Sequence, residues 1–425
     1  MTRKPISLLW TSNILLPAAA RALGLPESPF GGWLSVTTEH LARRKGLRIG
    51  VAMRAPVRRL RRLDLHGISY YALPQTARDM YDIEQSSCDA VLADFAPDLL
   101  HAEGTEMAHT RRFLKTWHGP KVVSLQGVIN GHTSYQFGGL TPAEFLSLRH
   151  PRHAGVGLAL LANHLLRFRP RLSVERETIN LADHILGRTL WDQAHAYRIN
   201  PNATYHHCPR ILRDSFYTEQ WSLNDIEPYS LFVGNGASAL KGAHFAVRAL
   251  AQLRNQFPQA RLYIAGRAPS QVARKPVQRL FDYPVYLRNL IRDLGVADRV
   301  TFTGELNAVQ MAERMRKSHV FILPSLIENS PNSLGEAMLM GVPSVASYAG
   351  GVPSMATDES EVLMYRANDS AMLAFQVQRL FRDDSLSYGL SKAARKRAIG
   401  THNPDAVIDT LLAVYQRVLE GASGP

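Results

Sequence analysis

Cysteine is nearly absent: Cys88 and Cys208 are the only two in 425 residues, so at most one bridge can form. That excludes a disulfide scaffold and a four-cysteine zinc site, and it suits a reducing cytosol. Long apolar runs are absent too. A spanning helix needs about 18 unbroken apolar residues. The best stretch, GVGLALLA at Gly155–Ala162, stops short and runs into Arg167, Arg169 and Arg171. The opening MTRKPISLLW superficially resembles a signal peptide, with Arg3 and Lys4 ahead of apolar residues. Thr11, Ser12 and Asn13 break that run early, so Ile6–Trp10 reads as a first β-strand and a cleaved signal is the lesser reading. No Walker-type GxxxxGK[ST] loop, HExxH helix or GxGxxG fingerprint occurs, since Gly234–Asn235–Gly236 is followed by Ala237–Ser238–Ala239. His206–His207–Cys208 comes nearest to a metal-binding triplet, but adjacent residues point apart, so no metal site is expected.

Acidic residues are the scarce charge. The chain has 49 Lys+Arg against 36 Asp+Glu, a net charge of +13. Residues 1–200 hold 25 basic against 16 acidic side chains, and the first 62 hold 12 against 2. This front-loading predicts an anionic partner for the N-terminal part: phosphate, acidic lipid or nucleic acid. Hydrophobic residues at 45% and charged residues at 20% mark a globular chain, long enough for two or three domains.

Short apolar runs alternate with helical periods along the second half. Strands are predicted at Leu231–Gly234, Leu262–Ala265, Val300–Thr303, His319–Leu323 and Ser344–Ser347. Helices are predicted around Phe245–Leu253, Tyr286–Leu294, Val309–Lys317 and Leu334–Met340. The first half repeats the theme, with strands at Ile6–Trp10, Arg48–Met53, Leu99–His101, Val122–Leu125 and His184–Gly187 and a helix at Trp33–Arg44. This is the pattern of doubly wound parallel sheets. Pro201–Tyr229 is irregular and takes the junction, giving Rossmann-like domains at 1–210 and 211–395 and a C-terminal helix at 396–425, placed to pack back toward the first domain. In such folds the ligand sits at the carboxyl ends of the strands.

The most informative segment is PSLIENSPNSLGEAMLMG, Pro324–Gly341. Glu328 follows a strand, and Glu336, separated from it by seven residues, falls in the predicted first turn of a helix, three after Ser333 as in a capping box. Asn329, Ser330, Asn332 and Ser333 are helix-capping types. A helix N-terminus binds phosphate through its unpaired amides and dipole. Two flanking carboxylates can accept hydrogen bonds from sugar hydroxyls. For an isolated pair, a capping Glu336 and a solvated Glu328 would suffice; the surrounding string argues for more.

That string, with Lys241–Gly242 and Gly350–Gly351–Val352–Pro353, resembles the C-terminal domain of retaining GT-B glycosyltransferases of family four, also called group 1, over roughly residues 228–370. IENSPNSLGEAMLMGVPSVASYAGGVP, LQG at Leu125–Gly127 and LRDSFY at Leu212–Tyr217 resemble a capsule and cell-surface polysaccharide branch. The resemblance implies two Rossmann-like domains facing across a cleft. It implies that Glu328 contacts the donor sugar near its reacting carbon, that Glu336 holds the ribose hydroxyls and that Lys241 pairs with the departing diphosphate. Gly31 and Gly32 would bring backbone amides to the same diphosphate, and Asn329, Ser330, Asn332, Ser333 and Leu334 would line the donor. Asn235 stands where the family often has arginine, so a second phosphate cation must come from Arg267, Arg210 or Arg213. Glu103 and Gln126 stand where histidines are common, which puts Glu103 forward as a catalytic residue.

The resulting expectation is a metal-independent hexosyl transfer from a nucleotide-diphosphate-sugar to a glycan or lipid-linked acceptor. No cofactor is expected; the nucleotide-sugar is a substrate, with UDP favoured over GDP. Two basic regions, residues 43–62 and 145–174, suggest an anionic membrane surface as a partner of a cytoplasmic, peripherally bound enzyme. VRRLRRLDLHG interleaves Leu60, Leu63 and Leu65 with arginines, and Phe145–Val174 carries five arginines and no acidic residue. The same arginines equally fit solvated helix faces. Nucleic acid ranks lowest, because the clusters lack interleaved aromatics. Two rival functions stand beside transfer: a nucleotide-sugar epimerase of the same fold, and a non-catalytic basic binding protein.

Overall fold

The structure is a computed structural model and describes residues 5–27, 31–76, 81–140, 161–162, 164–268 and 283–422. The chain divides into two units. The first comprises Met1–Gly131, Arg169–Leu212 and Thr401–Pro425; the second comprises His132–Phe168 and Arg213–Gly400. Neither unit is contiguous in sequence, unlike the ranges 1–210 and 211–395.

The first unit holds an eight-stranded sheet: β1 (Ile6–Ser12), β2 (Leu47–Ala55), β3 (Arg61–Leu65), β4 (Ile68–Pro74), β5 (Leu99–Glu103), β6 (Lys121–Ser124), β7 (His184–Gly187) and β8 (Thr204–His207). The spatial order is β3-β4-β2-β1-β5-β6-β7-β8, and every pair is parallel except β3 with β4. β1 lies inside the sheet, which is why SLLWTS is buried at every position rather than alternating. Leu8 and Trp10 join one core with Ile49 and Val51, while Leu9 enters the other with Phe95 and Val123. Helix Pro404–Ala422 closes the Leu8–Trp10 core with Val407, Ile408, Leu411, Val414, Tyr415 and Val418, one stripe at helical spacing.

β3 alters the reading of the basic segment. His66 and Gly67 both take positive φ, 50° and 79°, the two-residue turn that suits a hairpin. Leu60, Leu63 and Leu65 pack on the two cores of this unit, so the apolar side of VRRLRRLDLHG is occupied within the fold. The expected amphipathic membrane segment is therefore an edge strand, with Arg62 paired to Asp64 and Asp94 and with Arg58, Arg59 and Arg61 exposed. Most of the second basic region, 145–160 and 163, lies outside the described residues. Among those described, no helix is long and apolar enough to cross a membrane.

The second unit holds a six-stranded parallel sheet: β9 (Glu227–Val233), β10 (Arg261–Ile264), β11 (Val300–Phe302), β12 (Ser318–Leu323), β13 (Ser344–Tyr348) and β14 (Leu363–Arg366), in the order β11-β10-β9-β12-β13-β14. Helix Ala243–Leu253 is buried along one broad face and packs with β9, β10 and β12 in a single core. The strand order reverses between β9 and β12, which pair in parallel. A switch point of this kind leaves the loops after both strands facing a common crevice at their carboxyl ends.

Candidate active site in the second unit

The loops after β9, β12 and β13 converge because two glycines let backbone approach backbone. After β9, Ala239–Lys241 forms a short turn of helix that ends in Gly242, at φ 69°. A Cβ on Gly242 would stand 1.9 Å from the Pro324 carbonyl oxygen, so only glycine lets this loop lie on the end of β12. The Leu326 amide then donates to the Leu240 carbonyl at 2.9 Å and fixes the register of the two loops. After β13, Gly350 takes φ 55°, and its Cβ would stand 2.0 Å from the Glu328 carbonyl oxygen. The Gly351 amide donates to that same carbonyl at 2.9 Å. Glu328 is thus held by its main chain from one side and Lys241 is delivered from the other.

Their side chains meet. Lys241 Nζ donates to Glu328 Oε1 at 2.6 Å, and Ser325 Oγ donates to the same oxygen at 2.7 Å. Glu328 is buried while Lys241 is about one-third exposed, so the ammonium can reach a ligand from an anchored carboxylate. Helix Asn332–Met340 begins beside them, with Ser333 Cβ 3.8 Å from where a Cβ on Gly234 would lie, at the end of β9. The first turn satisfies only part of its donors internally: the Leu334 and Gly335 amides bond to the Pro331 carbonyl. The amides of Asn332 and Ser333 precede that bonding and form the positive end of the helix.

Glu336 corrects the sequence reading. The N-cap is Pro331, with no side-chain cap, so Ser333 is already the second helical residue and no capping box forms. Glu336 lies in the second turn, buried, and accepts two hydrogen bonds from Arg213, Nε to Oε1 and Nη2 to Oε2, each 2.7 Å. Burial pushes the Glu336 carboxyl up from its ordinary range and Arg213 pulls it back. Arg213, a candidate second phosphate cation, is engaged with a carboxylate instead. Sequence spacing could not show this partner, which lies 123 positions away.

The remaining expected residues fall into different roles. Leu334 is fully buried and belongs to the interior by its side chain, leaving only its backbone near the helix start. Asn329 is buried, Ser330 is partly exposed in the loop after β12, and Asn332 is partly exposed as the first residue of the helix. Arg267 follows β10 and pairs with Glu305 at 2.9 Å, both more than half exposed, a contact of little energetic weight. Asn235 accepts from the Ala237 amide at 2.9 Å and shapes its own turn.

In the first unit, Gly31 takes φ 81° as the N-cap of helix Gly32–Ala42, and a Cβ there would meet the Ile14 side chain at 2.7 Å. The glycine pair therefore brings the helix start close to the loop after β1. Glu103, expected to be catalytic, is 1% exposed. It lies 3.3 Å from Arg210, 3.4 Å from His101 and 3.8 Å from Arg188. Burial opposes its ionisation, yet His101, Arg210 and Arg188 together hold its carboxyl below the ordinary range. The neighbours occupy this carboxylate, and Arg210 in turn stacks on Trp33 at 3.6 Å, so neither residue presents a free charge. Gln126 exchanges two hydrogen bonds with Asn13, at 3.0 and 3.2 Å.

Two parallel-sheet α/β units with this loop arrangement define the GT-B fold of glycosyltransferases. Residues 227–383, nearly all of the second sheet and its helices, match the family described as glycosyl transferases group 1. A D-inositol 3-phosphate glycosyltransferase from Acidothermus cellulolyticus is 32% identical over 193 residues, 44% of this chain and 41% of the relative. The chain spans less than half the length of the curated relatives it matches. Among solved structures, sucrose-phosphate synthase from Thermosynechococcus elongatus superposes with a TM-score of 0.72 at 17% identity, covering 99% of this chain and 100% of that one. Anabaena Alr3699/HepE, solved in complex with UDP-glucose, superposes with a TM-score of 0.62 at 16% identity, covering 99% and 100%.

Proposed function

We propose that this protein is a retaining, metal-independent glycosyltransferase that moves a hexosyl unit from a UDP-sugar to a glycan or lipid-linked acceptor in cell-surface polysaccharide synthesis. The observation that carries the reading is the 2.6 Å Lys241–Glu328 pair, held at the switch point beside the amide end of helix Asn332–Met340. A departing nucleotide diphosphate gains charge as the glycosidic bond breaks, and a fixed ammonium with helix amides stabilises that change more than the ground state. In the transfer, the bond from the anomeric carbon to the diphosphate oxygen breaks and a bond to the acceptor oxygen forms on the same face. The acceptor proton passes to the leaving phosphate oxygen. Glu328 accepts hydroxyls of the transferred sugar and Glu336 those of the ribose. UDP is preferred over GDP because the similar HepE structures contain UDP and UDP-glucose.

An anionic membrane face belongs to the same proposal, supported by the exposure of Arg58, Arg59 and Arg61 and, in the other unit, of Leu165 and Leu166. Proton NMR of the product from a panel of UDP-hexoses tests the transfer directly. The reading expects a new glycoside with the donor's anomeric configuration, formed only when acceptor is present. Inversion of the anomeric centre, or donor isomerisation without acceptor, contradicts it.

A further inference from the structure

We infer that Arg213 is a positioning residue of the donor site, whose two-pronged grip on Glu336 sets the carboxylate to receive the nucleotide ribose. The inference rests on the proposal above that Glu336 accepts ribose hydroxyls, and it adds a residue to that reading. An ionised carboxylate has about four lone-pair directions. Arg213 uses one on each oxygen, both at 2.7 Å, and the planar guanidinium fixes the plane of the carboxylate. The two directions left over lie in that plane. Only 4% of the Glu336 side-chain surface is exposed, so the orientation of the fork decides which lone pairs a ligand meets.

Charge state follows from the same contact. A carboxyl buried without a partner takes up a proton and turns from acceptor into donor. Burial raises the Glu336 carboxyl, and Arg213 is the charged group acting against that rise. Arg213 is itself steadied by Phe216, whose ring lies 4.7 Å below the guanidinium carbon. Helix Ser215–Thr218, which carries Phe216, packs on helix Asn332–Met340, so the arginine and the glutamate are held by elements in direct contact.

The rival account is that the pair merely fastens the chain where it enters the second unit, since Leu212 ends one segment and Arg213 begins the next. Titration of the full chain with UDP and with 2′-deoxy-UDP separates the two, because a fastening role lowers stability and leaves the ratio of affinities unchanged. Wild type should prefer UDP by about tenfold, the worth of one charge-assisted hydrogen bond. E336Q should lose that preference. R213A should bring it to within about threefold of parity, and R213K, which keeps the charge without the fork, should fall between. Should R213A fail to fold, R213K carries the test, and a wild-type ratio in R213K overturns the inference. If E336Q loses the preference while R213A keeps it, the role of Arg213 alone is wrong. If wild type shows no preference, or E336Q retains it, the ribose reading of Glu336 falls and the inference with it.

Discussion

In the proposed transfer, Lys241 and Glu328 pair a partly exposed charge with a buried one. The lysine keeps about a third of its surface exposed at the end of a four-carbon stem. Glu328 is buried, tied through Oε1 to Ser325 as well as to Lys241. Replacing it by glutamine keeps the shape and deletes the charge, which removes the counter-ion of Lys241 and the strong acceptor that the proposal assigns to sugar hydroxyls. Loss of one charge-assisted hydrogen bond in a shielded site predicts a fall in kcat/KM of about 10- to 100-fold for E328Q. Steady-state kinetics with the UDP-sugar identified by NMR checks this, and a change of less than threefold would remove Glu328 from the site. Glu103 shows the converse. Its residue type and position suggest catalysis, but beside its strand neighbour His101 it is held by Arg188 and Arg210, which lie 85 and 107 positions away and which no local window contains.

Among elements, the strands and helices of the second unit were legible because both faces of its sheet are covered. Runs such as SLFV and VFIL have nowhere polar to face, and helices between them keep a broad apolar side. The predicted elements there fall within about four residues of the observed ones, while strand Leu363–Arg366 and the helix that follows it had no prediction. The hairpin β3–β4 was missed since its arginines face solvent and dominated the reading, while the turn signal His66–Gly67 is weak. The capping box failed because Pro331 starts the helix earlier than the apolar pattern does. The glycines that shape the site are a further sequence signal, readable from GG and KG but explained only by the carbonyls they face. Gly350→Ala meets the Glu328 carbonyl oxygen and a left-handed φ together. It should destabilise by about 2–3 kcal/mol, a fall in Tm of about 5–10 °C, and lower kcat by displacing Glu328. Gly389→Ala, with open space around it inside helix Asp384–Thr401, is the control and should hold or raise Tm by calorimetry. Equal melting of the two variants would contradict the constraint at Gly350.

The molecule as a whole combines one unit that carries the family match and one whose residues lie outside it. Residues 227–383 hold the group 1 match and both glutamates of the motif. The first unit supplies an eight-stranded sheet and a buried charge network, and its surplus of arginine over acidic residues is partly spent on Asp64, Asp94, Asp405 and Asp409. The proposed donor site is where sequence and geometry agree most closely, and nucleotide binding is the simplest consequence of that proposal. Isothermal titration of the intact protein with UDP, GDP and ADP, repeated on K241A, tests that agreement most directly. The account predicts selective binding of UDP, weakened about tenfold or more when the ammonium is removed. Binding that ignores the base, or UDP affinity untouched by K241A, would contradict it.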